Sequence, residues 1–71
     1  MNENEQLGVA RTYRGFTNTL EQAYEKVKEI TDQLSWLEPT AEQLDVFVGK
    51  RDLVMIRLDG YKYQYLVKIV I

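Results

Sequence analysis

The chain has 71 residues and a net charge of −2, with no cysteine and no histidine, which excludes disulfides, thiolate metal sites and a histidine general base. One domain is expected at this length, burying only about 60% of its unfolded surface, so a second subunit is the open route to added stability. The 45% hydrophobic content argues against disorder, no run reaches the roughly 18–20 apolar residues of a membrane span, and the acidic residues 1–5 are unlike a secretory signal. A cytoplasmic location is the expectation that follows.

Residues 1–6 read as a flexible tail and 7–71 as a single α+β domain. A first strand is predicted near 8–14, where Leu7 and Val9 alternate ahead of Thr12 and Tyr13. A long helix is predicted over 19–36. Leu20, Ala23, Val27, Ile30, Leu34 and Leu37 repeat at heptad spacing, Asn18 with Glu21 suits a capped start, and Pro39 forces an end near Glu38. That stripe is read as the core-facing side of the helix.

Thr40-Ala41-Glu42-Gln43 matches a capping box, so a second short helix is predicted to about Val48, with Gly49 just past its end. The alternation of Leu44, Val46 and Val48 allows a strand there instead. A β-hairpin is predicted next, with strands 53–58 and 61–71 joined by Asp59-Gly60 in a two-residue turn. The expected order is β-α-α-β-β, with the C-terminal hairpin sheet packed on one long helix.

That register pairs Leu58 with Tyr61, Ile56 with Tyr63 and Val54 with Tyr65, and turns the tyrosines, Val67, Ile69 and Ile71 toward the helix. The opposite face then carries Arg51, Leu53, Met55, Arg57, Lys62, Leu66 and Lys68, a basic surface with an oily centre and like charges facing each other. Because 61–71 outruns 53–58, residues 67–71 would lack backbone partners. A homodimer is therefore expected to cover the edge.

Charge is unevenly divided. Residues 18–48 hold seven acids against two lysines, a charge of −5, whereas residues 49–71 hold five bases against two acids, a charge of +3. Glu21, Glu25, Glu29 and Asp32 fall on the helix side away from the core, with Trp36 nearby as a candidate anchor. Such a strip suits steering toward a basic protein surface.

Catalytic signatures are missing. Ser35, the one serine, has no histidine to activate it, and Gly49-Lys50-Arg51-Asp52 lacks the second glycine and the hydroxyl residue of a phosphate loop. No cofactor and no metal are expected. The function expected is a non-enzymatic protein-binding module, a small adaptor or inhibitor, docking a basic partner, such as a nucleic-acid-binding protein, through Glu21, Glu25, Glu29, Asp32 and Trp36. Two alternatives stay open: a nucleic-acid-binding domain using the basic hairpin face, and a structural dimerising subunit. The acidic balance and the separation of tyrosines from bases disfavour nucleic acid.

Overall fold

The structure, a computed structural model, describes residues 10–70. The predicted tail and residues 7–9 lie outside that range. Strand β1 (Ala10–Thr17) leads to helix α1 (Leu20–Leu34), which tightens into a 3₁₀ turn over Ser35–Leu37. Strand β2 (Leu44–Lys50), helix α2 (Leu53–Asp59) and strand β3 (Tyr63–Val70) follow. The strands form one antiparallel sheet in the order β1-β3-β2. The α+β class, with one long helix on a sheet, is as expected. Counting the 3₁₀ turn as the second helical element, the order is β-α-α-β-β with α2 set between the last two strands.

α1 begins where β1 releases the chain. β1 runs to Thr17, three residues beyond its predicted end, so the cap falls on Thr19 and Gln22 in place of Asn18 and Glu21. The Gln22 N–H donates to Thr19 Oγ1 at 3.1 Å, while Gln22 Oε1 accepts from the Thr19 and Asn18 N–H groups. At the far end Glu38 takes φ 50°, ψ 52°, and its N–H donates to Ser35 O. Pro39 bars Glu38 from continuing the helix, and the left-handed region reverses the chain toward β2.

The heptad stripe does form the contact with the sheet. Ala23 and Leu34 are buried, and Val27, Ile30 and Leu37 are half-buried against Val67 and Ile69 of β3, Tyr13 of β1 and Leu44 of β2. Leu20 stays 41% exposed and lies outside this core. Register explains the grouping, since Tyr13 pairs with Val67 and Leu44 with Ile69 across the central strand. Tyr63 and Tyr65 share that helix-facing side, as predicted. The Tyr65 ring crosses Gly15, and any side chain there would have to displace the ring.

Two predicted elements are corrected. Residues 44–50 form a strand, the alternative to the short helix. The side-chain half of the capping box still forms, with the Thr40 N–H donating to Gln43 Oε1 at 2.9 Å, but it closes a single turn before β2 starts. Residues 53–59 form a helix, not the first hairpin strand. The C-terminal antiparallel pair exists, but the partner of β3 is β2, with Val48 opposite Tyr65 and Val46 opposite Val67. Gly60 has the positive φ (84°) that an Asp-Gly turn needs, and spends it on the helix cap, its N–H donating to Ile56 O.

Two consequences drawn from the hairpin register change as well. β3 is central, so residues 67–70 are paired on both sides and the bare edge expected to call for a homodimer is filled. β1 and β2 are the edges instead. The facing like charges also dissolve, because Lys68 lies between Thr12 and the acid Asp45.

Candidate docking surface

Arg51 prolongs the β2–β3 ladder by one rung, its N–H donating to Lys62 O at 2.9 Å. Its side chain is only 4% exposed. One guanidinium nitrogen donates to Asp59 Oδ1 at 2.6 Å and to Tyr61 O at 3.1 Å, and the guanidinium carbon sits 3.9 Å from the Phe16 ring centroid. These contacts satisfy a buried cation with a carboxylate, a carbonyl and an aromatic face. Asp59 Oδ1 also accepts from the Tyr61 N–H at 3.0 Å. The Arg51 hydrogen bond, and then the Tyr61 N–H, hold the Asp59 carboxyl below its ordinary range. Arg51 thus clamps the base of the excursion that carries α2.

α2 is seven residues long, too short to persist alone, and both its ends are fastened. Asp52 Oδ1 accepts from the Val54 and Met55 N–H groups, and Gly60 closes the C-terminus. Leu53, Val54 and Leu58 are 66%, 68% and 74% exposed. Helical spacing places them on one side with Arg57 between them. Met55 is also exposed, and Ile56 is half-buried. No other described strand or helix brings its backbone alongside α2, and Ile56 is the one side chain of the helix that is not exposed.

A groove of about 380 Å³ is lined chiefly by Phe16, Tyr61, Gln22, Glu25, Lys26 and Glu29. Phe16 and Tyr61 stack with centroids 6.5 Å apart and planes 30° from parallel. Lys26 Nζ lies 3.7 Å from Glu29 Oε1, an exposed pair that contributes little to stability. Tyr61 directly follows the α2 cap, so one end of the groove adjoins the C-terminal end of α2.

The predicted acidic strip is in place, with Glu21, Glu25, Glu29 and Asp32 all exposed along α1. Glu25 and Glu29 reach the groove. Trp36 is 76% exposed in the 3₁₀ turn and does not pack beneath it. The predicted basic face is divided. Lys62, Leu66 and Lys68 lie on the sheet side away from α1, Leu53, Met55 and Arg57 belong to α2, and Arg51 is buried. Sequence reasoning missed Phe16, Phe47, Val54, Leu58 and Tyr61 as surface groups. Leu66 lies between Phe47 and Arg14 on the open sheet face, with Phe16 opposite Gln64; Phe47 and Phe16 are 51% and 44% exposed. Phe47 was hidden by reading 44–48 as helix, and Val54 and Leu58 by reading 53–58 as a core strand.

Among the described residues no cluster of acids is arranged to hold a metal ion, and no helix is long and apolar enough to cross a membrane. What this surface offers is contact: an apolar helix face with one guanidinium, and an aromatic groove with two carboxylates and one ammonium group. No family model matches the chain, and neither the curated proteins nor the solved structures include a match.

Proposed function

We propose that the chain is a non-enzymatic protein-binding module, a small adaptor or inhibitor, that docks through the outer face of α2. The acidic side of α1 flanks that contact and attracts basic groups. One observation carries the reading: α2 is capped and clamped, yet Leu53, Val54 and Leu58 face water and no strand or helix backbone runs alongside them. Burying a Leu or Val side chain is favourable by about 1.5–3 kcal/mol, so a fixed apolar patch of this kind is a surface awaiting a partner. Pre-ordering by Arg51, Asp52 and Gly60 lowers the entropy lost when the partner arrives. Arginine within an apolar patch is typical of interface centres, and Arg57 occupies that position. Glu21, Glu25, Glu29 and Asp32 act mainly on encounter rate and partner choice.

The test compares the proteins retained from lysate by the immobilised wild type and by the double variant Val54→Glu/Leu58→Glu. Partners held by the first and lost by the second, with the thermal midpoint unchanged, are expected. Identical retention by both would remove α2 as the docking element. Glu25→Lys/Glu29→Lys in the same assay separates the acidic strip, and its loss of partners at low salt alone would identify steering.

A further inference from the structure

We infer that the partner seated on α2 is a second copy of this chain, each protomer placing α2 in the groove formed by α1, Phe16 and Tyr61 of the other. This rests on the reading of α2 as a docking element and names its occupant. Charge is the first argument. Arg57 stands among Leu53, Val54 and Leu58, and the groove, with Glu25 and Glu29 against Lys26, keeps one net negative charge beside an aromatic wall, so the chain holds both halves of one complementary contact. The charge of −5 over residues 18–48 and +3 over residues 49–71 favours the same pairing at longer range.

Placement is the second argument. A contact between two different patches on one protein usually propagates into rings or filaments. Here Tyr61 of the groove follows Gly60, the cap of α2, so the two patches are contiguous. A two-fold axis passing beside residues 60 and 61 brings both contacts together and closes the assembly at two copies.

Area is the third. An aliphatic side chain offers roughly 100 Å² of buriable surface. Weighted by their exposure, the Leu53, Val54, Met55 and Leu58 side chains, an equal area of groove and the symmetric repeat come to roughly 1,000 Å², the threshold for a specific interface. The dimer is accordingly concentration-dependent. An anionic lipid surface is the rival for an apolar helix bearing arginine, but Glu25 and Glu29 beside it would be repelled there.

Sedimentation equilibrium on the full chain tests the assignment. The wild type should show twice the chain mass with rising concentration. Arg57→Glu alone and Glu25→Lys/Glu29→Lys alone should each weaken association at least tenfold, with circular dichroism unchanged. Mixed in equal amounts, these two variants should recover a 1:1 dimer, because both contacts then pair opposite charges again. A wild type that stays monomeric at millimolar concentration overturns the inference, as does a mixture that fails to associate. Monomeric protein binding to phosphatidylserine vesicles, lost in Arg57→Glu, overturns it in favour of lipid. If the wild type is monomeric while Val54→Glu/Leu58→Glu still abolishes capture of another protein, this inference falls and the proposed function stands. If that double variant alters neither mass nor capture, the proposed function falls too.

Discussion

In α1 the aliphatic residues Val27, Ile30 and Leu34 lie under the helix against Val67 and Ile69; in α2 Leu53, Val54 and Leu58 lie out in solvent. α1 has fifteen residues and draws its stability from that tertiary contact, as most helices in proteins do. α2 has no such contact and is held by a carboxylate cap, a glycine cap and one buried arginine. The difference shows that this fold treats packing and presentation separately. A helix fixed by polar groups at its ends leaves its apolar surface free for something else.

The largest effect should come from the packed side. Ile69→Ala removes a side chain 1% exposed at the centre of the α1–sheet contact and should cost about 2–5 kcal/mol. Urea unfolding at fixed protein concentration would read it, and all probes should shift together. Arg51→Ala should behave differently. It removes two charge-assisted hydrogen bonds and the contact with Phe16, about 2–3 kcal/mol, from a site that chiefly orders α2. Hydrogen exchange should then quicken across residues 53–59 while β3 amides keep their protection. Equal loss of protection in both would mean that α2 is part of the core's cooperative unit.

Two smaller changes sharpen the same contrast. Asp52→Ala deletes the α2 cap and should cost about 1 kcal/mol, again confined to exchange within 53–59. Acid should act through Asp59. Its carboxyl titrates below the ordinary value in the folded chain, so its contribution is complete above the unfolded value and is lost as pH falls through the folded one. Exchange protection of α2 should therefore decline below about pH 4, and Asp59→Asn should flatten that pH dependence.

Legibility followed the same division. The stripe in α1 was readable because its repeat is set by the core that it covers, and the side of Tyr63, Tyr65, Val67 and Ile69 because alternation holds whatever strand lies alongside. The partner of β3 was not readable, since pairing is decided by competition among strands far apart in the chain. In 53–59, six consecutive residues that suit strand or helix are bounded by Asp52, which can cap, and by Gly60, whose positive φ serves a hairpin turn and a helix end equally. The Thr40–Gln43 box formed its turn and no helix, because Leu44, Val46 and Val48 had a strand to join. Of the site, the acids of α1 were visible as charge pattern. The apolar face of α2 was half visible, since the strand register turns Leu53 and Met55 outward but places Val54 and Leu58 in the core.

The smallest expected effect separates the two helices most cleanly. Leu58 is 74% exposed, so Leu58→Ser removes surface that the single chain does not bury, and at low protein concentration its stability should stay within about 0.5 kcal/mol of wild type. The same change deletes part of the surface offered to a partner, so association should weaken while the unfolding midpoint hardly moves. For Ile69 the two readouts must fall together, because nothing survives of the surface once the sheet is lost. A marked destabilisation by Leu58→Ser in dilute monomer would mean that Leu58 is buried within its own chain in solution, and α2 would then be a packing element like α1.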